Sequence, residues 1–278
     1  MIELPEIETI RRDLERECAG KRIKEIDVQI ARAVGGSAAK TKLVKAIDKA
    51  KVLGVTRMGM YIRIDFDTEH SLMVDLGTGG QLVRTANKDE VHKRTALIIA
   101  FTQHGQLRLV DMEADASATL HETEAILDDM PELSKLGIDP IEEPMSWTDF
   151  GRHLHSHETK LRTLIMDDSF VVGIGSMYAD EILFHAGLRY DRLSNSLSTQ
   201  EIRRLYRSLV ETLFDAVKYR GSTVEGSHYV DAFGEPGVYQ DHHSVFQKEG
   251  DLSPRSRRPI VRSKFNKEWT YYCEQSQV

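Results

Sequence analysis

The chain has 278 residues, of which 40% are hydrophobic, and its formal net charge is -7. This length and composition predict a globular protein with two compact domains. The sequence contains no run of about 18 apolar residues, and it begins with an acidic segment that includes Pro5. We therefore expect neither a membrane span nor a signal peptide, and we predict a cytoplasmic protein. Two cysteines are too few for a disulfide framework or for a zinc site built on thiolates.

The charge is unevenly distributed along the chain. Residues 1–60 carry +4 and residues 248–268 carry +4, whereas residues 61–247 carry about -14. A negative total opposes strong nonspecific binding to nucleic acid, because Lys and Arg supply most of that affinity. The two basic segments fit a cleft with basic rims, although solvated surface faces explain the same pattern.

The first half of the chain predicts a helix followed by a β-sandwich. Apolar residues recur at helical spacing from Glu6 to Cys18, and short alternating runs from Ile23 to Leu109 predict antiparallel strands. Thr119–Leu136 is predicted to be helical. Prolines in residues 139–144 then predict a hinge, with a domain boundary near Pro140.

The second half predicts helices and a terminal hairpin. Apolar residues at helical spacing predict four helices, over Ser146–His157, His157–Asp167, Ser176–Ala186 and Ser198–Tyr219. Ser198 and Glu201 form a candidate capping box. The runs around Pro259 and Trp269 predict a β-hairpin. The predicted fold is therefore α+β, divided into a β-sandwich domain (1–139), a helical domain (140–240) and a hairpin segment (241–278).

Within residues 170–188, Gly173 and Gly175 lie in a turn between predicted helices. Glycines at a helix start let backbone N–H groups approach a phosphate closely, although such turns more often serve packing. The stretch resembles the helix-two-turn-helix signature of the formamidopyrimidine-DNA glycosylase/endonuclease VIII family. Further landmarks occur in the family's order, at residues 1–8, 75–80, 136–140 and 271–273.

The resemblance implies an enzyme that flips a damaged base out of double-stranded DNA and attacks the sugar with an N-terminal proline amine. Here Ile2 occupies the proline's place. A side chain of this size is expected to block removal of Met1, so that the Met1 amine would be the only candidate nucleophile of this kind. Glu3 and Glu6 occupy the places of the family's N-terminal carboxylates and are candidate proton-transfer residues. Helix N-terminal acids of purely structural value are the alternative.

Three further positions depart from the family pattern. Met60 replaces the lesion-contacting lysine, and a thioether cannot be protonated. Thr78 replaces a methionine that fills the gap left by the flipped base, and residues 112–115 (Met-Glu-Ala-Asp) replace a cationic, apolar wedge. His92 is a candidate DNA contact, although the family's His-Asp-His pattern has become His92-Lys-Arg.

The resemblance also implies DNA contacts in the second half of the chain. Gly175 and Ser176 begin the phosphate-binding helix, where Ser176 replaces the family's asparagine with a hydroxyl that can still hydrogen-bond a phosphate. Lys160 and Arg162 lie near His157, which replaces a family lysine. Arg262 and Lys264 keep the finger hairpin basic, although Glu268 replaces its phosphate-binding arginine. The zinc cysteines align with Ser253, Ser256, Cys273 and Ser276. We therefore predict a hairpin without zinc, no metal and no cofactor.

Three functions remain open. The first is a family member that has lost base excision and strand scission but binds DNA, a nucleotide or another partner. The second is an active glycosylase that uses Glu3 or Glu6 to activate water, or the Met1 amine. The third is a protein-interaction module whose acidic surface meets a basic partner. Double-stranded DNA, damaged or abasic, is the predicted partner of a monomeric protein.

Overall fold

A computed structural model describes residues 2–103, 105–143 and 145–278. The chain opens with helix α1 (Leu4–Cys18), which confirms the predicted helix and begins it two residues earlier. Pro5 lies in the first turn, where its missing N–H costs no helical hydrogen bond. Ile7, Ile10 and Leu14 recur on one buried stripe of the helix.

Eight strands follow and form two four-stranded antiparallel sheets, with orders β1-β6-β7-β5 and β2-β3-β4-β8. The strands are β1 (Ile23–Val28), β2 (Val52–Met58), β3 (Tyr61–Phe66), β4 (His70–Asp75), β5 (Gly80–Thr85), β6 (Thr95–Phe101), β7 (Gln106–Asp111) and β8 (Ser117–Glu122). Alternate residues such as Ile62, Ile64 and Phe66 are buried, so period-2 patterning directs one face of each sheet into a common core with α1. The predicted sandwich is confirmed.

Two local predictions in this half were wrong. Helix α2 (Ser37–Ile47) interrupts the stretch predicted as strands, and it buries only Leu43 and Ile47, so its helical stripe is short. Residues 119–122, predicted as helix, belong to β8 and pair with β4 at Leu72 and Leu120. Tertiary pairing outweighs the local pattern there. A single helical turn, α3 (Ile126–Asp129), follows.

The four predicted helices of the second half are present. They are α4 (Trp147–His155), α5 (Leu161–Ile165), α6 (Ser176–Ala186) and α7 (Thr199–Lys218). The Ser198 N–H donates to Glu201 Oε2 over 2.8 Å and the Glu201 N–H donates to Ser198 Oγ over 3.4 Å, which confirms the capping box.

The predicted terminal hairpin is confirmed as strands β9 (Val261–Phe265) and β10 (Glu268–Tyr272). Asn266 and Lys267 form the two-residue connection and both have positive φ, at 49° and 71°. Such a pair of left-handed residues matches the right-handed twist of the flanking strands.

Contacts divide the chain into two compact units. The N-terminal unit comprises residues 1–134 and 219–240, and the helical unit comprises residues 135–218 and 241–278. The α+β class is confirmed, whereas the predicted three-part division at 139/140 and 240/241 stays a prediction. Pro144 of the predicted hinge lies outside the described residues. Among the described residues, no helix has the length and apolar character needed to cross a membrane.

Candidate functional site

Glu3 and Glu6, the two candidate proton-transfer residues, begin α1. The exposed fractions of these residues are 2% and 0%. They form a capping box, in which the Glu3 N–H donates to Glu6 Oε2 over 3.0 Å. The other oxygen, Glu6 Oε1, accepts the Ser222 N–H over 2.8 Å. A Cβ at Gly221, which has φ +76°, would lie 2.7 Å from Glu6 Oε1, so glycine permits this close approach. Both Glu6 oxygens therefore accept backbone N–H groups, one at the start of α1 and one at Ser222.

Apolar side chains occupy two of the positions where the family resemblance predicts amine groups. Ile2 is 9% exposed and belongs to the hydrophobic core of the N-terminal unit. Met60 is half-buried and packs against the same core. Met1, whose amine was a candidate nucleophile, lies outside the described residues. The side chains at positions 2 and 60 therefore supply packing and no proton-transfer group.

A buried ionic cluster on α1 was not anticipated from the sequence. Glu8, 1% exposed, accepts hydrogen bonds from Arg12 Nε over 2.6 Å and from Arg57 Nε over 3.2 Å, and it is also paired with Arg11. Burial alone would raise the pKa of Glu8, but the hydrogen bonds and charges of these arginines lower that pKa below its ordinary value. An acid between Ile7 and the Thr9-Ile10 pair of a helix with an apolar stripe was the available sequence signal.

The segment that replaces the family's wedge loop is held by hydrogen bonds within the N-terminal unit. Asp115 Oδ2 accepts the Thr78 N–H over 2.8 Å and the Thr78 hydroxyl over 2.5 Å. Burial raises the pKa of Asp115, but these hydrogen bonds outweigh it and lower the pKa. Glu113 lies 2.7 Å from His228 Nε2. Both carboxylates are engaged by protein groups. His92 is exposed, and its Nδ1 accepts the Arg94 N–H over 3.2 Å.

The glycine turn lies directly before α6 in the helical unit. Gly173 has φ +67°, and its N–H donates to Asp168 Oδ1 over 2.7 Å. Gly175 is the N-cap residue of α6, and Ser176, 7% exposed, is the first residue of the helix. The candidate phosphate-binding residues thus lie at a helix start, where backbone N–H groups favour anions.

Arg162, predicted as a DNA contact, is 1% exposed. Its Nε donates to Asp180 Oδ1 over 3.1 Å, and its Nη2 donates to the Trp269 carbonyl over 3.3 Å. Burial raises the pKa of Asp180 to about 6, although Arg162, the Thr270 hydroxyl and the Tyr271 N–H oppose that rise. The guanidinium of Arg162 therefore fastens β10 to α6. The predicted DNA contact of Arg162 stays a prediction.

Glu181, the next residue of α6, is fully buried. Its carboxylate accepts the backbone N–H groups of Ser244, Val245 and Phe246 over 2.7, 2.9 and 2.8 Å. The signature helix therefore holds the segment that leads into the hairpin. Adjacent acids in an otherwise apolar helix are the sequence signal for this role, because a buried carboxylate requires donors.

Basic and aromatic side chains lie together on the hairpin. Arg262 and Lys264 lie over the Trp269 ring, with their cationic groups 4.2 and 5.3 Å from its centroid, and Trp269 is 41% exposed. Lys160 Nζ lies 5.3 Å from the centroid of the Phe265 ring. Arg262 also pairs with Glu249 over 2.8 Å. We call Lys160, Arg262, Lys264 and Trp269 the hairpin patch. Cations interleaved with rings are typical of single-strand and backbone contacts to nucleic acid.

The four positions aligned with zinc cysteines form a small hydrogen-bonded group. Ser256 Oγ lies 3.1 Å and Ser276 Oγ 3.4 Å from Cys273 Sγ, and Ser253 Oγ lies 3.4 Å from Ser276 Oγ. Burial would raise the pKa of the Cys273 thiol, but the serine hydroxyls lower that pKa to about 7. Three hydroxyls and one thiol do not fit the Cys and His ligands of a structural zinc site. No group of three or more His, Cys, Asp or Glu side chains in the described part of the chain is placed to hold a metal.

Sequence profiles of two domains match this chain. The formamidopyrimidine-DNA glycosylase N-terminal domain matches residues 1–114, and the formamidopyrimidine-DNA glycosylase H2TH domain matches residues 136–227. The chain belongs to the formamidopyrimidine-DNA glycosylase family.

Similar proteins match over their whole length. The formamidopyrimidine-DNA glycosylase of Pelotomaculum thermopropionicum is 32% identical over 98% of both chains, and that of Desulfitobacterium hafniense is 31% identical over 100% of both. Among solved structures, Lactococcus lactis Fpg in complex with DNA that contains an abasic site has a TM-score of 0.88, with 26% identity over 99% of both chains. The same enzyme in complex with DNA that contains N7-benzyl-Fapy-dG has a TM-score of 0.87.

Proposed function

We propose that this chain is a DNA-binding member of the family that lacks the amine-dependent base excision and strand scission of its relatives. The observation that carries the proposal is the apolar character of residues 2 and 60. Ile2 lies in the core where the family has its proline, and Met60 packs against that core where the family has its lysine.

The chemistry of the family's reaction supports this reading. A Schiff base forms when an unprotonated amine attacks the sugar carbon, and it requires a positioned amine of modest basicity. Neither an alkyl chain nor a thioether can replace that amine or transfer a proton. The reaction would depend on the Met1 amine alone.

The contacts of Glu6 give limited support to an altered but active enzyme that uses this carboxylate. Each Glu6 oxygen accepts a backbone N–H, from Glu3 and from Ser222, so this carboxylate stabilises the helix start and residues 221–222. A water-activating base needs a free lone pair directed at the water. Removing Glu6 is therefore expected to destabilise the fold before it alters chemistry.

Binding to double-stranded DNA, preferentially with an abasic site, is supported by two features. The L. lactis relative is solved in complex with such DNA. The hairpin patch and the α6 start supply cations, an exposed aromatic ring and a helix N-terminus of the kind that contact phosphates and sugars. Because the net charge is -7, we expect weak binding that falls steeply with salt. The cytoplasm or nucleoid is the proposed place of action.

Borohydride trapping on an abasic-site duplex tests the loss of chemistry. We expect the wild-type protein to bind this duplex in a direct titration and to yield no covalent adduct or incised strand. The double variant Ile2→Pro/Met60→Lys restores both amine groups and is expected to form a covalent adduct, at a level at least about tenfold above the background of the wild-type reaction. A control with Ile2→Val and Leu53→Lys adds one lysine at a site that is 60% exposed and should gain nothing.

An adduct formed by the wild-type chain and abolished by acetylation of its N-terminus would show that the Met1 amine is active, and the proposal would fail. Loss of such activity on Glu3→Gln, with folding intact, would instead identify an altered glycosylase. Absence of any salt-dependent binding to duplex DNA would remove the DNA-binding half of the proposal.

A further inference from the structure

A cavity of about 300 Å³ lies against one face of the β1-β6-β7-β5 sheet, and its lining residues all belong to the N-terminal unit. Leu82 and Leu109 enter the sandwich core, whereas Val83 and Arg108, which are paired in register, line the cavity on the opposite face. Residues 230–234 contribute another wall, and the Arg84 N–H fastens them by donating to the Ala232 carbonyl over 2.7 Å.

Arg84 and Arg108 both line this cavity. Arg108 is 3% exposed. Its guanidinium donates to Gln106 Oε1 over 2.9 Å and to the backbone carbonyls of Glu90 and Asp89 over 2.7 and 2.9 Å. These bonds use three of the five N–H groups that a guanidinium offers. None of the three acceptors is a carboxylate, and no ion pair of Arg108 occurs among the described residues. A buried cation without a counter-charge is costly, and an anion in the cavity would offset that cost.

Two hydroxyl groups in the cavity wall are also unsatisfied. Thr95, 2% exposed, and Thr85 both have a buried Oγ1 with no hydrogen-bond partner among the described residues. In the sheet Thr85 pairs with Gln106 and Thr95 pairs with Val110, so the two hydroxyl groups lie on either side of Arg108 along β7. A buried hydroxyl without a partner is unfavourable, so a ligand that hydrogen-bonds to it gains affinity.

The remaining wall is largely apolar. Val83, Val110, Met112 and Phe233 line it, and Phe233 is 49% exposed. Such surfaces bind the carbon skeleton of a small organic molecule, while a few polar groups fix its orientation. Glu90 is the single carboxylate in the lining, and it is exposed.

We propose that this cavity binds a small organic phosphate monoester. Its phosphate lies at Arg108 and the Thr95 hydroxyl, and its carbon skeleton lies against Val83 and Phe233. A phosphate monoester brings close to two negative charges and three terminal acceptor oxygens, which match the remaining guanidinium N–H groups and the hydroxyls. His92, predicted as a DNA contact, also lines the cavity, but the site does not depend on DNA binding.

Isothermal titration with ribose 5-phosphate tests the site, with ribose as the uncharged control. We expect wild type to bind ribose 5-phosphate and to bind ribose at least tenfold more weakly. Thr95→Val keeps the side-chain shape and removes the hydroxyl, so it should weaken binding about tenfold without lowering the melting temperature of the free protein. The matched control is Thr68→Val, since Thr68 also has a buried, unpartnered Oγ1 but lines a different cavity.

Two further variants change the charge in the cavity and test the same site. Arg108→Gln should abolish binding of ribose 5-phosphate, and Glu90→Gln should strengthen it, because it removes the one opposing charge. Equal binding of ribose and ribose 5-phosphate, or unchanged binding in Thr95→Val, overturns the proposal.

Duplex DNA with 5′-hydroxyl ends distinguishes a phosphate of the DNA backbone from a free phosphate monoester. If its affinity also falls in Thr95→Val, the cavity is a subsite for the DNA backbone and the proposal fails. Loss of duplex binding with ribose 5-phosphate binding intact would contradict only the proposed function.

Discussion

The starts of α1 and α6 both hold residues that the family resemblance predicts to be functional, yet the two helices differ in the contacts of those residues. At α1, Ile2 and Met60 supply packing, and Glu6 holds backbone groups. At α6, the glycine turn precedes the helix, Asp180 accepts a hydrogen bond from Arg162, and Glu181 accepts the Val245 N–H, so that the helix is joined to the segments around it. The comparison separates residues that build the fold from residues that would perform chemistry. In both helices a buried glutamate, Glu6 or Glu181, accepts backbone N–H groups and so stabilises the fold.

The largest effect is expected at Glu181. Replacing Glu181 by Ala leaves three backbone N–H groups, two of them buried, without an acceptor and should reduce the free energy of unfolding by about 3–5 kcal/mol. Urea denaturation followed by circular dichroism measures this change. Glu211→Ala, on the exposed surface of α7, should change stability by about 0.5 kcal/mol or less. An effect of Glu181→Ala as small as that of Glu211→Ala would contradict the structural role assigned to Glu181 in α6.

Glu8 provides the corresponding test at α1. Glu8→Gln should cost about 3 kcal/mol at pH 7, because it removes a buried carboxylate that pairs with Arg11, Arg12 and Arg57. The folded-state pKa of Glu8 is lowered from 4.5, so its stabilisation is present above pH 4.5 and is lost as pH falls through the folded pKa.

Unfolding of wild type and Glu8→Gln at pH 7 and below pH 4.5 measures this dependence. The gap between them should narrow on acidification, while Glu25→Gln, at an exposed position, should show no such trend. A gap that widened with acid would contradict the assigned direction.

The hairpin patch should dominate the salt dependence of DNA binding. Arg262→Ala/Lys264→Ala is expected to reduce the slope of log affinity against log salt concentration by about 2, since each phosphate contact contributes about 0.9. Fluorescence anisotropy over a range of salt concentrations measures the slope. Arg152→Ala/Arg207→Ala removes the same charge from exposed positions of α4 and α7. Equal slopes for the two double variants would mean that the patch acts only through net charge.

The smallest effect is expected at the start of α7. Ser198→Ala removes the capping hydroxyl and should lower stability by about 1 kcal/mol. Thermal unfolding measures this loss, and Ser196→Ala on the preceding exposed turn is the control. A larger loss of stability in Ser198→Ala than in Glu181→Ala would mean that the α7 cap stabilises the helical unit more than the Glu181 contacts of α6 do.

Much of the fold was predictable because its signals are local. The stripe of α1, the capping box of α7 and the period-2 alternation of β3 each appear within one short segment. The helix α2 and the strand β8 were mispredicted for the opposite reason. α2 has only two buried anchors, and β8 is defined by its pairing with β4, which lies far away in sequence.

The family resemblance selects the candidate site residues, but the sequence does not indicate their contacts. Family resemblance located Ile2, Met60 and Ser176, yet it could not indicate that Arg162 would be buried against Asp180. Charge alone does not distinguish a phosphate contact from an ion pair, because both use the same guanidinium. The Thr95 hydroxyl had no sequence signal at all, since its lack of a partner depends on residues from three separate segments.

The carboxylate of Glu181 joins the folding of two segments that are distant in sequence. Since Val245 and Phe246 donate their amides to α6, those amides can exchange with solvent only when the helix end and the following segment separate. Their protection against hydrogen exchange should therefore match that of the α6 core rather than that of a loop. The hairpin and the glycine-turn helix would then open as a single cooperative element.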